Sequence, residues 1–175
     1  WRRAFRLHQW VKNGLVLVPL LTAHLWGDPD AVSAALLAFL AFGFTASTIY
    51  VLNDLADIHD DRAHPVKRGR PLASGLLPVP QVLLGAAAFA LLAIACSAML
   101  PASFAGWIGV YLLVTTAYSA ELKRRPIVDV MCLAGLYTVR LFAGAAGHLS
   151  IDYSRADFRR RGPADPSTPR PTRHP

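Results

Sequence analysis

Charge is scarce here: 17% of the residues carry it, against roughly 25% in an average soluble domain. With 54% of the 175 residues hydrophobic, the chain leans toward lipid as its surroundings. No segment alternates strictly between apolar and polar residues, so nothing suggests a β-barrel. Cysteine occurs only as Cys96 and Cys132, both inside apolar runs. Neither has a second cysteine or a histidine at ligand spacing, so both read as small buried hydrophobes. The histidines His8, His24, His64 and His148 likewise fall at no metal-ligand spacing. The basic start is not followed by a small-residue cleavage site, and no cleavable signal peptide is read.

What the chain has is length without charge. Apolar runs at about 11–27, 31–52, 80–100, 102–120 and 126–149 each approach the roughly 20 residues that cross a bilayer. The first is the most polar, with Lys12, Asn13 and Pro19. Short turns favour antiparallel neighbours, and Gly/Ala stretches at 85–88 and 143–147 allow close helix approach. The expected fold is all-α: a multi-span transmembrane bundle over 1–150, then an Arg/Pro-rich tail over 151–175 with the composition of a disordered segment. Of the net charge of +7, the tail's six Arg and three Asp contribute +3, leaving +4. The other cations flank the runs. Arg2, Arg3, Arg6 and Lys12 precede or open the first; Arg62, Lys67, Arg68 and Arg70 follow the second; Lys123, Arg124 and Arg125 follow the fourth. The turns at 27–30 and 101–103 contain no Lys or Arg. Positive-inside topology accounts for this alternation, and nucleic acid is not an expected partner. The expectation is a multi-pass protein of the cell membrane with its basic segments cytoplasmic.

One such segment is preceded by a dense run of acids. Residues 53–61 read Asn-Asp-Leu-Ala-Asp-Ile-His-Asp-Asp at the end of an apolar helix. At about 100° per residue, Asp54 and Asp61 point almost the same way, Asp57 stands about 60° aside, and Asn53 shares its side. Membrane-embedded carboxylates are costly, and three on one stripe repel one another unless a cation neutralises them. Oxygen ligands of this kind suit Mg²⁺, which binds through one or two carboxylates plus substrate phosphates. The stripe therefore reads as a magnesium–diphosphate platform. The plainer reading is a solvated helix end, which off-stripe Asp60 fits. Arg140 lies mid-run and should face the bundle interior. Either it meets the stripe or a substrate phosphate, or it satisfies helix carbonyls. Tyr50 and Tyr118 read as interfacial anchors. Ser119 has no base partner, which argues against a nucleophile.

The pattern Asn-Asp-x-x-Asp-x-x-x-Asp at 53–61 resembles the first aspartate-rich motif of the UbiA-type intramembrane prenyltransferases. The resemblance continues through Asp61-Arg62-Ala63-His64-Pro65 and Arg70-Pro71-Leu72-Ala73-Ser74-Gly75. His8-Gln9-Trp10-Val11-Lys12-Asn13 is similar to the opening of the family's decaprenyl-phosphate phosphoribosyltransferase branch. Tyr118-Ser119, Val128-Asp129-Val130 and Leu136-Tyr137-Thr138-Val139-Arg140 are similar to its middle section. The resemblance implies an all-helical, usually nine-span transferase with two aspartate-rich motifs. About five spans and the first motif are present, so the chain looks truncated, like the N-terminal portion of such an enzyme. It also implies Mg²⁺ as cofactor, Asp54, Asp57 and Asp61 as catalytic residues, and Asn53 with them as metal ligands. The implied substrate is polyprenyl diphosphate or polyprenyl phosphate, with a small-molecule acceptor; the branch implies phosphoribosyl pyrophosphate as an alternative donor. A departing diphosphate must be held, which makes Arg62, Lys67, Arg68 and Arg70 candidate clamps, together with Lys123, Arg124 and Arg140. The reading of another class is an inactive fragment or a non-catalytic membrane protein. Acids at a helix end beside a basic loop, rather than at mid-membrane on broken helices, favour phosphate chemistry.

Overall fold

The computed structural model describes residues 1–120 and 126–161, and no strand occurs among them. The chain opens with a 3-10 segment, Leu7–Leu17, that runs into the five-residue helix α1, Val18–Thr22. This corrects the expected span at 11–27, where no continuous membrane-length helix forms. The polar residues of the run give the reason. Asn13 is buried and bonded to a distant helix, and Trp10 donates Nε1–H to Ser47 at 3.0 Å. The segment therefore packs sideways along the bundle.

Helix α2, Pro29–Ala56, follows. Pro29 occupies its first turn, where a missing N–H costs nothing. As N-cap, the Asp28 carboxylate accepts from Asp30 N at 2.9 Å. Its 28 residues rise about 42 Å at 1.5 Å each, enough to traverse a hydrocarbon core of about 30 Å. Helix α3, Ile58–Ala63, almost continues it. Asp57 stands at the junction (φ −88°, ψ 7°), yet Asp57 N to Asn53 O (3.0 Å) and Asp61 N to Asp57 O (2.8 Å) keep the helical bonding pattern. His64 then turns extended (φ −84°, ψ 130°), as a residue preceding proline does. A 3-10 turn at Lys67–Gly69 leads to α4, Val79–Ala98, α5, Ala102–Ala120, and α6, Pro126–Arg161.

α2 is the central element, packed against α4, α6 and the N-terminal segment. Small residues at Ala34, Ala38 and Ala41 are buried and admit neighbouring helices closely. Phe42 fills the middle, meeting Phe104 and Tyr111 of α5 edge-on at 5.9 and 5.2 Å between ring centroids. Outward, α4 presents Leu84, Leu91 and Ile94, an apolar face suited to lipid. Among the described residues, three stretches are long and apolar enough to cross a membrane: Pro29–Ala56, Val79–Ala98 and Val130–Gly147. Residues 102–120 are helical as expected, though Thr115, Thr116, Tyr118 and Ser119 dilute their apolar character. α6 continues through Arg161, past residue 151 where the composition changes.

Candidate functional site

The acid run and the basic loop meet at the end of α2. Asp54 (6% exposed) and Asp61 (2%) are both buried, and both bind one guanidinium. Arg70 NH1 lies 3.2 Å from Asp54 Oδ1 and 2.6 Å from Asp61 Oδ2. The seven-residue spacing thus puts the two acids on one face, as helix geometry predicts. Asp54 gains a second cation, because Arg6 NH2 stands 2.6 Å from the same Oδ1. The N-terminal segment makes this pairing possible. Arg6 sits in the left-handed region (φ 48°, ψ 41°), uncommon outside glycine, and its guanidinium lies 4.7 Å over the Tyr50 ring. Ser47 anchors the backbone beside it, accepting from Trp10 Nε1 and donating Oγ–H to the Phe5 carbonyl at 2.8 Å. Two glycines make room: a Cβ on Gly43 would stand 2.9 Å from the Trp10 ring, and one on Gly85 2.7 Å from Phe5.

Around this network lies a cleft of about 700 Å³. Asn53, Asp54, Asp57 and Asp60 contribute to one wall, Arg6, Lys67 and Arg70 to another, and Tyr50 and Tyr118 also face it. Tyr50 thus serves as a platform for Arg6. Asn53 donates Nδ2–H to Ser119 Oγ at 2.9 Å, tying α2 to α5. Ser119 Oγ is the acceptor in this bond. The other candidates divide. Arg62 Nε donates to the Ala73 carbonyl at 3.2 Å and braces the loop. Arg68 is exposed, and it borders neither this cleft nor the roughly 470 Å³ hollow beyond Arg6 and Arg70. His64 Nδ1 accepts from Val66 N at 3.2 Å, a loop contact. Lys123 and Arg124 lie outside the described residues.

Among the described residues, no three His, Cys, Asp or Glu side chains converge in the manner of a metal site. Arg70 stands between Asp54 and Asp61 and pairs with both. Sequence reasoning assigned Arg6 to topology alone; its link to Asp54 spans 48 positions, beyond any periodicity.

Below the cleft, α2, α4 and α5 enclose an apolar groove of about 510 Å³. Leu52 and Leu112 line this groove, while Ala56 and Thr116, one helical turn further along each helix, line the cleft. Polar cleft and apolar groove thus share the α2–α5 seam.

Arg140 (6% exposed) is buried away from both. Its Nε donates to Asn13 Oδ1 at 3.0 Å, its NH1 to the Leu136 carbonyl at 2.7 Å, and its NH2 to Tyr111 Oη at 3.3 Å. A helix carbonyl is thus among its partners, and none of the stripe aspartates is. The signal that could have found Asn13 was an isolated amide in one apolar run opposite an isolated cation in another.

Comparison with known proteins adds a name to this geometry. The model described as "UbiA prenyltransferase family" matches residues 16–153. Over 146 residues the chain is 35% identical to the decaprenyl-phosphate phosphoribosyltransferase of Mycobacterium tuberculosis, covering 81% of this chain and 48% of that protein. The protein of the same name from Corynebacterium glutamicum is 38% identical over 152 residues, 83% of this chain and 46% of that one. The nodulation protein NoeC of Azorhizobium caulinodans is 41% identical over 147 residues, 81% and 46% respectively. The chain spans less than half the length of each of these curated relatives.

Proposed function

Because the chain belongs to the UbiA prenyltransferase family, we propose that it forms the first substrate-binding half of an integral-membrane transferase acting on polyprenyl diphosphate or polyprenyl phosphate. The observation that carries this reading is the Arg6–Asp54–Arg70–Asp61 network, set in the wall of a cleft that stacks on an apolar groove. A charged head and a long apolar tail need those two environments in that order. Arg6, Lys67 and Arg70 bind phosphate oxygens, with the arginines offering planar, multidentate donors. Asp61 keeps Arg70 aimed, and the groove takes the isoprenoid chain. The site works from the cytoplasmic face of the cell membrane: Arg6 and the Arg70 loop, from two basic segments, meet at one bundle end, in line with positive-inside topology.

Mg²⁺ fits the donor chemistry. Asn53, Asp54 and Asp57 present oxygens to the cleft that also holds Lys67 and Arg70. A site built on one or two carboxylates, completed by substrate phosphates, needs no third acid. Bound there, the metal supplies charge neutralisation to a leaving diphosphate.

A second reading is phosphoribosyl transfer from phosphoribosyl pyrophosphate to a polyprenyl phosphate. It is favoured by the names of the Mycobacterium and Corynebacterium relatives, and the same cleft would hold the diphosphate of either donor. The test uses purified full-length protein in lipid nanodiscs, offered radiolabelled prenyl diphosphate and phosphoribosyl pyrophosphate separately, with and without Mg²⁺. Label should pass to an acceptor only with the metal, and Asp54→Asn should slow transfer about a hundredfold or more. Transfer indifferent to Mg²⁺ or to D54N would remove the platform from the mechanism.

A further inference from the structure

Ser47 and Asp54 lie seven residues apart on α2, so their side chains point nearly the same way, about 10.5 Å apart along the axis. Both hold the same dipeptide of the N-terminal segment. Ser47 Oγ–H donates to the Phe5 carbonyl at 2.8 Å, and Asp54 Oδ1 takes the Arg6 guanidinium at 2.6 Å. The peptide that leads into Arg6 and the tip of its side chain are thus fixed by one helix, two turns apart.

Three observations say that the first hold governs the second. First, packing does not direct Arg6. Its side chain is 27% exposed, and it borders both the cleft and the outer hollow, where Arg3 and His8 also stand. Second, Arg6 adopts φ 48°, ψ 41°, a left-handed conformation that is costly for a residue with a Cβ. The Phe5 carbonyl belongs to the peptide plane whose rotation about Arg6 N–Cα sets that φ, so a bond to this oxygen acts on it directly. Third, the Ser47 proton has one destination. A hydroxyl carries a single donor and an indole N–H only donates. Trp10 gives its Nε1–H to Ser47 Oγ at 3.0 Å, which leaves the Ser47 proton for Phe5. Trp10 is itself set edge-on against Phe39 and Phe44, at 6.0 and 5.4 Å between ring centroids. Phe5 is buried, 4.5 Å from the Phe89 ring centroid.

We propose that Ser47 is the positioning residue for Arg6: the Trp10–Ser47–Phe5 relay turns the Arg6 guanidinium into the cleft and away from the outer hollow. Ser47 is 0% exposed and lines neither space, so it acts on a ligand only through Arg6. The proposal rests on the transferase reading, in which Arg6 binds phosphate oxygens.

Titration calorimetry with pyrophosphate and Mg²⁺, on full-length protein in nanodiscs, tests this as a double-mutant cycle. Arg6→Gln should weaken binding about tenfold or more, and Ser47→Ala about fivefold. Added to R6Q, S47A should cost less than about a further twofold, because the residue it positions is gone. A merely structural serine would give the same loss in both backgrounds. Trp10→Phe keeps an aromatic ring against Phe39 and Phe44 and removes only the indole donor. It keeps the test decisive should S47A not fold: it should weaken binding about threefold in the wild-type background and add nothing measurable in R6Q. Unchanged affinity in folded S47A overturns the proposal, as do losses that add in full to those of R6Q; where S47A fails to fold, the same two results in W10F overturn it. If wild type binds pyrophosphate and R6Q binds it equally well, the proposal falls while the cleft reading stands on Lys67 and Arg70. Wild type that binds no pyrophosphate removes the cleft reading itself, and the proposal with it.

Discussion

Replacing Arg70 by Gln should be the most damaging single change in the charge network, and the structure sets its size. Among the described residues, Arg70 is the one hydrogen-bond and ion-pair partner of the Asp61 carboxylate, which is 2% exposed. Removing it strands a buried anion, a change that costs roughly 3–5 kcal/mol at fully buried sites. The Arg70 side chain is itself 31% exposed, so water can partly replace it and about 3 kcal/mol is the reasonable figure. That is a more than hundredfold shift in the unfolding equilibrium. Arg6→Gln differs, because Asp54 keeps Arg70; it should cost only about 1–1.5 kcal/mol. The decisive variant is the double substitution R70Q/D61N. An amide at 61 carries no charge to strand, so at least about half of the R70Q loss should return. Unfolding by SDS titration in mixed micelles, followed by tryptophan fluorescence, measures all three. If R70Q and R6Q cost the same within about 0.5 kcal/mol, or D61N rescues nothing, then Asp61 does not depend on Arg70 and the network is surface decoration.

Two further changes probe how the helices approach one another. A Cβ on Gly144 would overlap the Val16 backbone carbonyl, so Gly144→Ala must displace the N-terminal segment and should lose about 3 kcal/mol or more; Gly109→Ala, with nothing within 4 Å, should be neutral or gain up to about 1 kcal/mol. Equal losses in the same SDS titration would mean that the close approach at Gly144 is not structural. A double-mutant cycle on Asn53→Ala and Ser119→Ala should return a coupling of about 0.6 kcal/mol, typical of an interhelical hydrogen bond in a bilayer; zero coupling would detach α5 from the cleft wall.

The helices, and the common face of Asp54 and Asp61, were legible in the sequence because both are local periodic facts. Seven residues on one helix fix an angle whatever the rest of the chain does. The same logic misread 11–27, since hydropathy counts how apolar a run is and not where its few polar groups go. Asn13 goes to Arg140, 127 positions away, and Trp10 to Ser47, 37 away. Those two bonds hold the run against the bundle as a 3-10 segment. In the sequence the charge of the acid stripe was counted alone. The cations that neutralise it, Arg6 and Arg70, were visible in the sequence but were assigned to topology and to phosphate. Positive-inside bias and ion pairing draw on the same residues at a membrane edge, so neither role excludes the other. A charge ledger kept across the whole bundle end, asking which cation each buried acid must meet, would have pointed to Arg70 at least. It lies just beyond the chain reversal at His64-Pro65, and that turn brings it back over the stripe.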